Sequence, residues 1–95
     1  MIFEFDFEKS NSNKEKHGID FEEAQELWKD EDLTIIDARD ENEKRYMVIG
    51  KVDSKFWSGV FTLRDGKIRV ISARRSRRKE IELYEKERRI RKRNR

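Results

Sequence analysis

Apolar and polar residues alternate with different periods along the chain, and each change of period predicts an element. Residues 2–7 alternate apolar with acidic side chains, which is typical of a short, half-buried strand. The polar stretch 10–13 is typical of a turn or a weak helix. Basic residues follow it and lead to Gly18, and glycine is common just past a helix end. We therefore expect a first helix that ends before Gly18.

A helical period follows over residues 21–30. Asp20 stands where a capping residue is needed, and the acidic residues after it suit the positive end of a helix dipole. The apolar side chains recur every three or four residues and form one stripe: Phe21, Ala24, Leu27 and Trp28. This segment is predicted to be an amphipathic helix.

From Leu33 onward the apolar period is two, which predicts strands. Asp65-Gly66 is a strong hairpin signal between the last two of them. Consecutive strands joined by short turns pair antiparallel. We therefore predict a four-stranded antiparallel sheet built from residues 33–37, 45–52, 56–64 and 67–72.

The last segment is predicted to be a helix that starts near Arg77, with Ser76 as its cap and an apolar face of Ile81 and Tyr84. Beyond Tyr84 only Ile90 is apolar, so residues 85–95 are predicted to be a basic helical extension or a frayed tail after a single domain of residues 1–84. The fold class is therefore α+β: two N-terminal helices, with or without a short strand before them, the antiparallel sheet, and a C-terminal helix.

Composition narrows the possible chemistry. The chain has 95 residues, enough for one modest core. No apolar run is long enough to span a bilayer, the first residues do not resemble a signal peptide, and the absence of cysteine fits a reducing, cytoplasmic location. A single histidine and the lack of a glycine-rich phosphate loop give no support for a metal or a cofactor. Four acidic residues of one charged segment could be combined into a magnesium site: Asp37, Asp40, Glu41 and Glu43. A hydrated acidic loop is the better interpretation of this segment.

The charge is unevenly distributed. Residues 1–73 carry 12 Lys and Arg against 17 Asp and Glu, a net charge of −5, whereas residues 74–95 carry 12 against 4, a net charge of +8. An acidic body with a basic end is typical of a protein that attracts a polyanion, although a basic tail can also serve solubility alone.

Arginines cluster along residues 69–78, at the junction between the last strand and the last helix. Guanidinium groups grip phosphate through paired hydrogen bonds, so this segment is a candidate RNA-binding surface, and Arg64 and Arg39 could converge on it. Two alternatives remain open at this point. The arginines could be solvated ion pairs with Glu43 and Glu80, and the neighbouring aromatic residues could be core instead of stacking platforms for bases: Phe56, Trp57 and Phe61.

His17 also allows two interpretations. It can satisfy the terminal carbonyls of a helix that ends at Gly18. It can also act as a general acid or base in phosphodiester cleavage.

The order of motifs resembles the BrnT family of toxins. The resemblance covers about residues 3–84 and is carried by the following motifs: Phe3-Glu4-Phe5-Asp6, Lys9, Asn13, Lys16-His17-Gly18-Ile19, Phe21-Glu22-Glu23-Ala24, Asp37-x-Arg39, Glu43-x-Arg45, Phe61-Thr62-x-Arg64, Arg69-Val70-Ile71-Ser72-Ala73-Arg74-Arg75 and Glu80. It implies a fold similar to RelE-like ribonucleases and metal-independent RNA cleavage that inhibits translation. It also implies a BrnA-like ribbon-helix-helix antitoxin as partner, with operator DNA bound only through that antitoxin.

On this basis we expect a catalytic set drawn from His17, Lys16, Glu43, Arg64 and Arg74. We expect the RNA backbone to be bound by Arg39, Arg69, Arg75 and Arg78. The alternatives are a non-catalytic nucleic-acid-binding module that uses the same arginines, and an interaction protein whose arginine face docks an acidic partner.

Overall fold

Residues 1–94 are described by the computed structural model, and they form five strands, two α-helices and one 3₁₀ helix. In chain order these elements are β1 (Phe3–Glu4), α1 (Phe7–His17), the 3₁₀ helix (Glu23–Lys29), β2 (Thr34–Ala38), β3 (Arg45–Val52), β4 (Lys55–Arg64), β5 (Lys67–Arg75) and α2 (Arg78–Arg93). The strands form one sheet in the order β1-β5-β4-β3-β2. Residues 85–93 of the predicted tail belong to α2, and residue 95 lies outside the described residues.

The predicted fold class, a RelE-like fold with a four-stranded antiparallel sheet, is wrong. Strands β2 to β5 do pair antiparallel, but β1 adds a fifth strand that runs parallel to β5, so the sheet is mixed. Phe3 lies beside Ile68 in this pairing, and its ring packs edge-on against Trp28 with centroids 5.0 Å apart. A parallel pair needs a long crossover, and local periodicity does not show which distant strand a two-residue strand will join.

The N-terminal helices also differ from the prediction. The strand signal over residues 2–7 is cut short because Asp6 caps α1, accepting hydrogen bonds from the backbone N–H groups of Glu8 (2.9 Å) and Lys9 (3.1 Å). Gly18 ends α1 in the left-handed conformation, with φ of 82°, as the sequence predicts. The predicted helix over residues 21–30 is a 3₁₀ helix.

A buried asparagine ties α1 to the sheet. The side-chain amide of Asn13 donates to the carbonyl oxygens of Ile19 and Ala73, both at 2.8 Å, and its oxygen accepts from the Ala73 N–H at 3.3 Å. Ser10 accepts a hydrogen bond from the backbone N–H of Phe21 at 2.9 Å. These contacts hold α1 against β5 and fix the direction of the chain that follows it.

The register sorts strand residues onto two faces, because residues directly opposite in antiparallel strands point to the same side. We call one side the helix face. It carries Val48, Gly59 and Ala73 in one row, and α1 and the 3₁₀ helix pack on it. A Cβ atom at Gly59 would meet a methyl group of Leu27 at 3.4 Å, so glycine allows the 3₁₀ helix to lie close to the sheet.

The other side, which we call the open face, is partly covered by α2. One row of this face contains Ile49, Ser58 and Arg74, and α2 contacts it through Glu80, which accepts a hydrogen bond from Ser58 at 2.8 Å. One turn further along α2, the buried Tyr84 packs edge-on against Phe56 and donates to Asp30 at 2.9 Å. Within residues 1–94, no helix is long and apolar enough to cross a membrane.

Candidate functional site

A groove lies at the end of the open face that is remote from the start of α2. Its volume is about 110 Å³, and it runs between the beginning of α1 and the strands β3, β4 and β5. We call it the arginine cleft and define it by its charged lining residues: Asp6, Lys9, Glu43, Arg45, Arg64 and Arg69.

Strand register places the arginines of the cleft. Thr62 lies opposite Arg69 on β5, and the pairing of β3 with β4 puts Arg45 on its other side. The buried Thr62 lies between the two in the sheet and donates to the backbone carbonyl of Lys44 at 2.7 Å. Arg64, two residues further along β4, points to the same face.

A β-bulge decides which residues of β5 share that face. The register shifts between Val60 and Phe61, so that Val60 pairs with Ser72 whereas Phe61 pairs with Val70. In a regular strand, Arg69 and Arg74 would point to opposite faces because they are five residues apart. The extra residue of the bulge puts both of them on the open face.

The carboxylate of Glu43 lies between two arginines of the cleft. Its two oxygens accept from Arg45 at 3.3 Å and from Arg64 at 3.4 Å. Asp40 shapes the loop that carries Glu43, because its side chain accepts hydrogen bonds from the backbone N–H groups of Asn42 (2.8 Å) and Glu43 (3.1 Å). These hydrogen bonds lower the pKa of Asp40. Asp40 also lies 3.1 Å from Arg45 Nε as an ion pair without hydrogen-bond geometry.

The cleft combines four cationic side chains with two carboxylates. Asp6 is already engaged as the cap of α1, and Arg69 also lies 3.9 Å from Glu4. This arrangement can hold a phosphodiester anion between guanidinium groups and present Glu43 and Lys9 to it as proton-transfer groups.

Arg74 lies on the same face but is tied to α2. Its guanidinium forms two parallel hydrogen bonds to Glu80, at 2.9 and 2.7 Å, which raise the pKa of Arg74. Burial alone would raise the pKa of Glu80, but hydrogen bonds from Arg74, the Arg77 N–H and Ser58 outweigh it and hold that pKa at about 2. Arg74 is separated from Arg69 by roughly 15 Å along the strand.

The remaining predicted residues lie outside the cleft. Arg75 is on the helix face, where it donates to the Phe56 carbonyl at 3.2 Å and its guanidinium lies 5.5 Å from the Trp57 ring centre. Arg78 is exposed at the start of α2, with Glu82 at 3.6 Å. Arg39 is exposed in the loop after β2, the same loop that carries Glu43.

His17 and Lys16 are exposed at the far end of α1. His17 lies eight positions after Lys9, which corresponds to about 12 Å along the helix axis. The structure therefore brings Glu43, Arg64 and Arg69 together and does not bring His17 and Lys16 to them.

Sequence reasoning did not include Lys9, Arg45 or Asp6 in the site. Lys9 and Arg45 both stand in the motifs that carry the family resemblance, so that signal could have found them. The aromatic residues Trp57 and Phe61 belong to the core, with exposures of 9% and 4%. Among residues 1–94, no group of three or more His, Asp or Glu side chains is placed to hold a metal ion together.

Comparison with known proteins gives a match over most of the chain. The sequence model of a family described as "Ribonuclease toxin, BrnT, of type II toxin-antitoxin system" matches residues 5–80. A search of curated proteins finds no match. The matched segment contains every lining residue of the arginine cleft.

Proposed function

This chain belongs to the BrnT family of ribonuclease toxins of type II toxin–antitoxin systems, and from that premise we propose that it cleaves RNA in the arginine cleft without a metal ion. The observation that carries the proposal is that Lys9, Arg45, Arg64 and Arg69 line one cleft together with Glu43, whose carboxylate accepts hydrogen bonds from Arg45 and Arg64. Family membership also means that the chain has an antitoxin partner.

The arginines stabilise the charge that develops during cleavage. When the ribose 2′-oxygen attacks the adjacent phosphorus, negative charge increases on the non-bridging phosphate oxygens. Arg64 and Arg69 both line the cleft, so a phosphate bound there would have a guanidinium on each side. Guanidinium groups keep their charge at any physiological pH. Positioned charge of this kind is commonly the largest contribution to catalysis.

Glu43 and Lys9 complete the reaction. Glu43 accepts the proton of the 2′-hydroxyl as the 2′-oxygen forms its bond to phosphorus. Lys9 donates a proton to the 5′-oxygen as the bond between that oxygen and phosphorus breaks. The products are a 2′,3′-cyclic phosphate and a 5′-hydroxyl, so no bound water or metal-activated nucleophile enters the cleavage step.

The other predicted residues act outside this step. Arg39, in the exposed loop next to the cleft, contacts a neighbouring phosphate. Arg74 fixes α2 on the sheet through Glu80, while Arg75 and Arg78 add positive potential that attracts the RNA. His17 and Lys16, at the far end of α1, do not reach a nucleotide held in the cleft.

At the level of the cell, we propose that RNA cleavage takes place in the cytoplasm and inhibits translation. The antitoxin is a ribbon-helix-helix protein of the BrnA type, and the toxin reaches operator DNA only through it. The identity of the protein encoded by the adjoining reading frame tests the antitoxin type. Translation of a reporter in a cell-free extract tests inhibition.

Cleavage of end-labelled single-stranded RNA in EDTA tests the catalytic proposal. We expect products with 2′,3′-cyclic phosphate ends, and a loss of about a hundredfold or more in rate for Arg64→Ala. Arg89→Ala is the matched control, because it removes the same charge from an exposed position on α2 outside the matched segment. We expect His17→Ala to cleave at the rate of the wild type.

Three results would contradict parts of the proposal. Loss of cleavage in EDTA would contradict metal independence. Full activity of a folded Arg64→Ala variant would show that the arginine cleft is not the active site. A salt-sensitive shift of RNA without products would favour the non-catalytic binding module.

A further inference from the structure

A second groove lies on the helix face, on the opposite side of the sheet from the arginine cleft. It has a volume of about 370 Å³, and we call it the apolar groove. Its lining residues come from the chain start, the 3₁₀ helix and four strands: Met1, Trp28, Ile35, Tyr46, Phe61, Leu63 and Ile68. None of these seven side chains is charged.

The floor of the groove is a rigid aromatic cluster. Tyr46 lies directly opposite Phe61 in the sheet and stacks on it, with ring centres 5.4 Å apart. Trp28 meets Phe61 edge-on at 5.2 Å. Aromatic side chains held in this way lose little further freedom when a partner covers them, and tyrosine and tryptophan are enriched in residues that dominate binding energy.

The rim of the groove exposes large aliphatic side chains. Leu63 is 56% exposed and lies on β4, two residues beyond Phe61, whereas Ile35 is 46% exposed and lies on β2, the strand next to that of Tyr46. Met1 extends the rim with an exposure of 83%. A contiguous apolar patch of this kind typically marks an interaction surface.

The chemistry of the groove favours a protein over RNA. A phosphate backbone is attracted by clustered arginine and lysine. Four such side chains line the arginine cleft on the other face of the sheet, whereas the lining of the apolar groove has none, and Lys44 lies beside it as a single cation, 5.6 Å from the ring centre of Tyr46. The chain already has a protein partner of its own, because its family consists of toxins paired with antitoxins.

We propose that the apolar groove is the surface on which the antitoxin anchors, by inserting apolar side chains of an amphipathic segment between Ile35 and Leu63. The inference rests on membership of a toxin–antitoxin family, but it does not depend on which residues cleave RNA. Because the groove and the cleft are on opposite faces, the anchor contributes affinity and a different part of the antitoxin restricts access to the cleft.

The affinity of the purified toxin for the purified antitoxin encoded beside it tests this inference. In Ile35→Lys and Leu63→Lys, a charge replaces an apolar group that the antitoxin would bury, so we expect the affinity to fall by at least about tenfold. Ile90→Lys is the matched control: it makes the same charge change at an isoleucine that is 41% exposed on α2, outside the groove. Thermal unfolding and RNA cleavage of each variant are measured in parallel.

The expected pattern is weaker antitoxin binding for the two groove variants, with wild-type unfolding temperature and wild-type RNA cleavage. Unchanged antitoxin affinity in both groove variants would overturn the inference. If that unchanged affinity came with lost RNA cleavage, the groove would be assigned to RNA instead. If it came with dissociation of a toxin homodimer, the groove would be assigned to a second copy of this chain. RNA cleavage by the wild type decides the proposed function separately, since antitoxin affinity does not require activity.

Discussion

Replacing Glu80 with glutamine should destabilise the protein by removing a half-buried charge that α2 needs. Glu80 accepts two hydrogen bonds from Arg74, one from the Arg77 N–H at 2.9 Å and one from Ser58 at 2.8 Å. Its side chain is only 14% exposed. Glu80→Gln keeps the shape and one acceptor oxygen but leaves the guanidinium of Arg74 without its carboxylate.

The pKa of Glu80 sets the magnitude. Burial alone would raise that pKa, but the hydrogen bonds and the charge of Arg74 lower it from 4.5 to about 2. A carboxyl whose pKa is lower in the folded protein stabilises the fold at pH values above its unfolded pKa, and this contribution disappears as the pH falls through the folded pKa. The full difference corresponds to at most about 3 kcal/mol of unfolding free energy at pH 7, lost between about pH 4.5 and pH 2.

Urea unfolding followed by circular dichroism at several pH values measures this effect. We expect Glu80→Gln to be less stable than the wild type by about 2–3 kcal/mol at pH 7, and the difference to shrink toward zero near pH 2. Glu82→Gln is the matched control. Its partner Arg78 is 3.6 Å away and both side chains are largely exposed, so its loss should change stability by less than about 1 kcal/mol.

Two results would refute the reasoning. A difference below about 0.5 kcal/mol at pH 7 would mean that the network around Glu80 does not stabilise the attachment of α2. A difference of the expected size that stays constant from pH 7 to pH 2 would mean that glutamine disturbs packing and that the charge is not the cause.

Two further substitutions test contacts that hold the helices on the sheet. Asn13→Ala should lower the unfolding free energy, measured by urea titration, by about 2–4 kcal/mol, because the backbone groups of Ile19 and Ala73 lose their buried partner. A decrease below about 1 kcal/mol would contradict this expectation. Tyr84→Phe should lower the unfolding free energy by only about 1–2 kcal/mol, because the ring still packs on Phe56 and Asp30 still accepts hydrogen bonds from the N–H groups of Asp32 and Lys51. A decrease above about 4 kcal/mol would show that the hydroxyl has a larger role.

Local features of the chain were predictable because they depend on neighbours in sequence. Gly18 ends α1 with a positive φ, and Asp65-Gly66 forms the turn between β4 and β5 with φ values of 50° and 76°. The alternation over residues 45–52 and 56–64 depends on side chains two residues apart, and the strands β3 and β4 formed there. The same reasoning reached the wrong helix type over residues 21–30, where Leu27 packs close to Gly50 and Gly59, a contact that periodicity within the segment does not report.

The sequence alone determined the type and approximate position of most elements, the family motifs and the supply of arginines. The tertiary structure decided which of these residues meet. Lys9 joins Arg64 and Arg69 because β1 pairs in parallel with β5 and carries α1 to that edge, a contact between segments more than 50 residues apart. The bulge at Val60 and Phe61 places Arg69 and Arg74 on one face against the simple alternation. Such outcomes depend on the packing of distant segments, which periodicity within one segment does not encode.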